Sequence, residues 1–99
     1  PTRRSSDLHH NLGLAYLTVN EVDKAVDELL ASLELDPENS TAAFNVANAL
    51  IHQQKFKTAS FFLSRLIVTP DLDDPDLLEP AKLIYTSLQG AMAQGIGLQ

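Results

Sequence analysis

Ninety-nine residues are fewer than a typical domain holds, so the chain is expected to form one small domain or a piece of a larger array. Seven Lys and Arg against thirteen Asp and Glu leave a net charge of −6 at pH 7, which argues against nucleic acid as a partner, because phosphate backbones demand clustered positive charge. A hydrophobic content of 44% with 20% charged residues and no cysteine describes a chain able to bury a core and excludes disulfide scaffolds, thiolate zinc sites and cysteine nucleophiles.

The chain opens with Pro1-Thr2-Arg3-Arg4-Ser5-Ser6-Asp7-Leu8, which resembles one reading frame of a common sequencing-library adapter. Residues 1–7 are therefore expected to be a non-native leader and the natural N-terminus to be missing. The other reading is a natural polar segment in which Ser5, Ser6 or Asp7 caps the following helix. Caps and breakers then predict a helix over 8–19, Asn20 as turn and N-cap, and a second helix over 21–35 stopped by Asp36-Pro37-Glu38-Asn39. A third helix is expected over 41–53 behind Asn39 or Ser40, and a fourth over 56–68, ended by Thr69-Pro70. A loop from Thr69 to Pro75 follows. Asp76 is expected to cap a last helix with Glu79 at its third position, reaching Gln94. Pro80 is tolerable there because first-turn N–H groups lack an intrahelical partner, and Gly95 to Gln99 should fray.

Sliding the chain against itself by 34 residues brings His9-x2-Leu12-Gly13-x2-Tyr16, Ala25-x3-Leu29, Ser32 and Pro37 onto a second copy. That copy is Ala43-x2-Val46-Ala47-x2-Leu50, Ala59-x3-Leu63, Leu66 and Pro70, its proline one residue early. A drifted third copy keeps Leu77, Ala81, Ile84 and Ala93 but has Pro80 and Gly90 where apolar residues are expected. Both full copies resemble the tetratricopeptide repeat (TPR) family, whose helix-turn-helix carries W-x2-L-G-x2-Y, A-x3-F and P. His9 departs from it at the place of the bulky Trp. The resemblance implies an all-α fold of about five helices stacked as a short right-handed solenoid, with repeats at 8–39 and 40–73 and a partial third repeat or capping helix at 74–99. Gly13, Ala25, Ala47 and Ala59 would be the small residues at helix crossings. Leu12, Tyr16, Val22, Leu29 and Leu33, with Val46, Leu50, Phe56, Leu63 and Ile67, form the apolar stripe expected to fill the space between helices.

Chemistry-bearing patterns are sparse. His9 and His10 are adjacent, so on a helix they point roughly 100° apart and do not converge on one metal ion, and His52 is remote in sequence. An EF-hand starting at Asp71 fails at Asp76, where Gly is needed, and at Lys82, where Glu is needed. Asn39-Ser40-Thr41 spells a glycosylation sequon, which matters only in a secreted eukaryotic parent. Without a Gly-rich phosphate loop, a Gly-x-Ser-x-Gly elbow or a His-Glu-x-x-His pair, neither catalysis nor a cofactor is expected within this chain. Nor does any run approach the ~20 apolar residues of a membrane span. The compartment stays open.

In the arrays that the sequence resembles, the first helices of the repeats line a concave groove. The corresponding residues are His10, Asn11, Leu14, Leu17 and Thr18, then Phe44, Asn45, Asn48, Ile51 and His52, with Lys82 as a possible extension. Asn11 and Asn45 lie 34 apart, an arrangement similar to the asparagine ladder of O-linked N-acetylglucosamine transferases; the third copy has Glu79 there. Two readings stay open: paired amides that grip a peptide backbone, or polar residues on a solvated helix face. A carboxylate clamp of the chaperone-binding type is not expected, since His10 and Leu14 stand at its Lys and Asn places. Asp27 and Glu28 are expected on the solvated outer face of the second helix, and the corresponding places in the second repeat hold Phe61 and Phe62. They are expected to lie under the last helix or the loop, or else to form a partner patch. The expected function is a protein-interaction module for an extended or helical peptide, neutral to basic in charge. The alternative is a structural spacer or docking arm of a larger protein, enzymatic or not.

Overall fold

The computed structural model describes residues 2–69 and 74–95, and the side chains from Arg4 onward. Five α-helices follow one another: α1 (Thr2–Thr18), α2 (Val22–Leu35), α3 (Ser40–His52), α4 (Phe56–Val68) and α5 (Leu78–Ala93), the last preceded by a short 3₁₀ turn (Pro75–Leu77). Each helix packs mainly on its neighbours in sequence, α1 on α2, α2 on α3, α3 on α4 and α4 on α5. This nearest-neighbour stacking makes a small helical repeat solenoid, elongated at 44 × 32 × 18 Å.

The repeat extends to the backbone. Asn20 and Gln54, 34 residues apart, both adopt left-handed conformations, with φ of 62° and 63°. Each closes the preceding helix with the same pair of bonds. Asn20 N–H donates to Leu17 O (3.0 Å) and Glu21 N–H to Tyr16 O (2.8 Å); Gln54 N–H donates to Ile51 O (2.9 Å) and Lys55 N–H to Leu50 O (2.9 Å). Asn20 is therefore the turn residue, as expected, but not the cap of α2. Glu21 takes the N-cap place without a side-chain bond, because Asn20 is committed to reversing the chain. Between repeats, Asn39 does cap α3, its Oδ1 accepting from Ala42 N–H at 3.0 Å.

Two other boundaries differ from expectation. Helix α1 begins at Thr2 rather than near Leu8, so residues 2–7 continue it. Ser6 is fully buried, two turns before Gly13 on the face turned to α2, and its Oγ donates to Ser32 O at 3.1 Å and lies 3.0 Å from Ser32 Oγ. At the other end Asp74, not Asp76, is the capping aspartate. Its Oδ1 accepts from Asp76 N–H at 3.3 Å, and Pro75–Leu77 turn tightly before α5 starts behind Leu77 with no side-chain cap. The rigid φ of Pro75 suits the first position of that turn. Residues 70–73 of the expected loop and 96–99 of the expected frayed tail lie outside the described residues.

Leu29, Val46, Ala47, Ala49, Leu63 and Ala81 are sealed from solvent, and Leu50 nearly so. Val22, Leu33, Phe56 and Ile67 are half-buried against them. Small residues set the crossings as anticipated. A Cβ built on Gly13 would stand 2.7 Å from Leu29 Cγ and 3.3 Å from Ala25 O, so α1 and α2 approach more closely than any side chain at 13 permits. Leu12 corrects the expected stripe: it is 44% exposed, whereas its counterpart Val46 is completely buried, because α3 packs on both α2 and α4 while α1 packs chiefly on α2 among the described elements.

These contacts separate two glycines. Gly13→Ala forces a methyl into the sealed Leu29 side chain, and overpacking of ~1–3 kcal/mol outweighs the ~1 kcal/mol gain in helix propensity. A Cβ built on Gly90, in α5, would meet no atom of another element within 4 Å among the described residues, so Gly90→Ala keeps that gain of about 0.5–1 kcal/mol. Thermal melting followed by circular dichroism is expected to show a lower Tm for the first variant and a higher one for the second.

Candidate peptide-binding face

The residues expected to face a ligand project from α1, α3 and α5. On α1, His10 is half-buried, Asn11 and Thr18 are exposed, and Leu14 is partly so. Thr18 is turned onto its own helix, its Oγ1 donating to Leu14 O at 3.0 Å. On α3, Phe44, Asn45 and Asn48 are half-buried and His52 is exposed. Phe44, Leu17 and Ile51 lean onto the core cluster, so they form the apolar floor beneath the polar residues. Lys82, on α5, is exposed and lies 3.7 Å from Glu79 on its own helix.

One bond joins the first two helices on this face. Asn45 Nδ2 donates to His10 Nε2 at 2.9 Å, which leaves the neutral imidazole proton on Nδ1. The two asparagines at equivalent positions are thus not equivalent in environment: Asn11 presents its amide to solvent, while Asn45 already holds a partner. The neighbouring histidine points elsewhere. His9 Nδ1–H donates to Glu28 Oε1 at 2.6 Å, so the two imidazoles diverge, one to α2 and one to α3. Glu28, expected on the solvated face of α2, is instead half-buried against His9. A polar pair occupies the place that an aromatic residue fills in the resembled pattern. Among the described residues, no three His, Asp or Glu are grouped to hold a metal ion, and no helix is long and apolar enough to cross a membrane.

Phe61 and Phe62 part ways on α4. Phe61 is 56% exposed, with the Arg65 guanidinium 5.9 Å from its ring centre, a cation–π distance. Phe62 meets it edge-on at 5.7 Å and is half-buried. There it lines a pocket of about 230 Å³ with Leu33, Pro37, Ala43, Arg65 and Leu66. Sequence reasoning identified the aromatic pair but missed this pocket. Its walls come from α2, α3 and α4, and no spacing in one segment reports their convergence.

The unequal asparagines have a measurable consequence. Both substitutions to Ala gain a few tenths of a kcal/mol in helix propensity. Asn45→Ala also strips His10 of its donor, a loss of about 0.5–1.5 kcal/mol. Urea unfolding is expected to place Asn11→Ala at or slightly above the parent protein and Asn45→Ala below it.

Over 47 residues, 48% of its length, the chain is 43% identical to the anaphase-promoting complex subunit CDC16 of Saccharomyces cerevisiae, and it spans about 6% of the length of that curated relative. No family model and no solved structure matches the chain.

Proposed function

We propose that this chain is a protein-interaction module that binds an extended or helical peptide across the face formed by α1 and α3. The observation that carries this reading is the repeated surface itself. Asn11 and Asn45 stand at the same register of two stacked helices, above an apolar floor of Leu17, Phe44 and Ile51. Exposed Asn11 and half-buried Asn48 supply amides that can both donate to and accept from a peptide unit. A net charge of −6 favours a neutral or basic ligand, by complementarity and by steering. The likeness to a subunit of a multiprotein complex and the tetratricopeptide pattern of the sequence point the same way. The work of such a module is done by surface complementarity, with no bond made or broken.

A second reading is favoured by one observation. Asn45 is already bonded to His10, so the amide row can serve only to tie α1 to α3, and the chain would then be a spacer or docking arm of a larger protein.

Fluorescence anisotropy with an array of 15-residue labelled peptides, varied in net charge from acidic to basic, separates the two. The module is expected to bind neutral and basic members with Kd below ~1 mM, or about −4 kcal/mol. Asn11→Ala combined with Asn48→Ala should weaken them roughly five- to tenfold, the scale of one hydrogen bond, with the helical circular dichroism unchanged. Absence of binding by every peptide, or binding indifferent to both substitutions, establishes the spacer.

A further inference from the structure

The second repeat opens a pocket where the first closes a helix pair. In the first repeat α1 and α2 are joined by two polar contacts, Ser6 with Ser32 and His9 with Glu28. Advanced by 34 residues, these four positions become Ser40, Leu66, Ala43 and Phe62, and all four line the pocket of about 230 Å³ between α2, α3 and α4. Neither contact recurs there, because Ala43, Phe62 and Leu66 carry no polar side-chain atom. A methyl group stands in the place of an imidazole, and Leu33 and Pro37 wall the space left over. An apolar cavity of ~150 Å³ already admits benzene, so this pocket has room for an aromatic ring, and Phe62 offers its own ring for an edge or offset contact.

Charge says what such a ring is attached to. Between Asn39 and Pro70 there is no Asp or Glu, whereas Lys55, Lys57 and Arg65 all fall there. The thirteen acidic residues lie outside that stretch, so the second repeat is positive on a chain that is negative as a whole. Lys57, Phe61 and Arg65, each four residues after the last, run along one side of α4, and all three are exposed. Arg65 lines the pocket and lies over the Phe61 ring. Among the described residues its guanidinium has no carboxylate partner. Glu38, on the loop side of the pocket, is the one acid in its wall, which leaves α4 as the basic side. At physiological salt an exposed charge acts over ~8 Å, so a docked segment responds to the cations of α4 more than to acidic residues farther along the chain.

We infer that this pocket is a docking site for an acidic segment of a partner protein, which inserts one aromatic side chain beside Phe62 and sets its carboxylates against Arg65 and Lys57. The inference does not rest on the peptide-binding role proposed above, because it draws on none of the residues of the α1 and α3 face and requires a ligand of opposite charge.

The probe is a fluorescent twelve-residue peptide with one central Trp among Asp and Glu, titrated against the full chain and followed by anisotropy and by the amide resonances of the isotope-labelled protein. Saturable binding is expected with a Kd of roughly 10–500 µM, with shifts centred on residues 33, 43, 62 and 65 and no loss on Asn11→Ala combined with Asn48→Ala. Replacing the peptide's Trp by Ala, or its acids by Lys, should weaken it at least tenfold. Ala43→Leu fills the pocket from within and should weaken it to the same extent, with Tm unchanged or higher. Arg65→Glu alters an exposed side chain and should also weaken binding tenfold or more with the helical circular dichroism unchanged, so it carries the test if Ala43→Leu disturbs the fold. The absence of saturable binding at 2 mM peptide overturns the inference. Equal binding of the Trp-free peptide, which reduces the patch to a contact for any polyanion, does so too, as does binding indifferent to Arg65→Glu. Shifts centred on residues 11, 45 and 48 place the peptide on the other face and overturn it. Tighter binding of an oligothymidylate strand to the same residues assigns the patch to nucleic acid, and a dimer in sedimentation equilibrium that Arg65→Glu dissociates assigns it to a second copy; either result overturns the inference.

Discussion

The approach of Leu29 to Gly13, into the space where that glycine has no side chain, is the contact on which the arrangement of the first repeat depends. Two helices can come this near only where one contributes no Cβ, and once they do, the residues a turn or two away along the crossing are drawn in. Ser6 reaches the backbone of Ser32 on one side of Gly13, and Tyr16, under the Lys24 ammonium, is half-covered on the other. In the second repeat Ala47 and Ala59 do the same work with one methyl each, both fully buried. A larger residue at any of these crossings widens the gap along the whole helix pair, since packed interiors take up little slack.

Because each helix buries its apolar side mainly against its neighbours in sequence, the fold has interior and terminal faces rather than a single enclosed core. This explains why residues of equal type and equal register differ so much in exposure. Val46 and Leu12 occupy the same place in successive repeats, yet one is sealed and the other open. The same logic separates Phe62, which closes a pocket between α2, α3 and α4, from Phe61, which sits one residue earlier and faces outward. In a stacked architecture, what a residue does is set by the layer on which it falls.

Polar residues stitch the layers together. His9 to Glu28 ties α1 to α2, His10 to Asn45 ties α1 to α3, and Gln53 to Asp23 ties the end of α3 back to α2. Each is a directional bond between side chains on different helices, so each resists sliding of one helix past the next, which the non-directional apolar contacts alone resist weakly. A face that binds a peptide must compete with such bonds or work around them, and on this face Asn11 and Asn48 are the amides with no competing side-chain bond among the described residues.

Helix type, number and approximate limits were legible in the amino-acid sequence, because period-3.6 apolar spacing, small residues 34 apart and the Asp-Pro and Thr-Pro stops are local signals. The repeat was legible for the same reason, down to a cap at Asn39 or Ser40, of which the structure chose Asn39. Tertiary structure alone decided which members of each pattern meet a neighbour. It buried Ser6 and carried α1 back to Thr2, left Leu12 open and half-buried Glu28. It bonded Asn45 to His10 and moved the last cap from Asp76 to Asp74. Spacing fixes the side of a helix from which a residue projects, but a partner 19 to 35 residues away lies beyond any local period, and whether it arrives depends on how closely the backbones can pack.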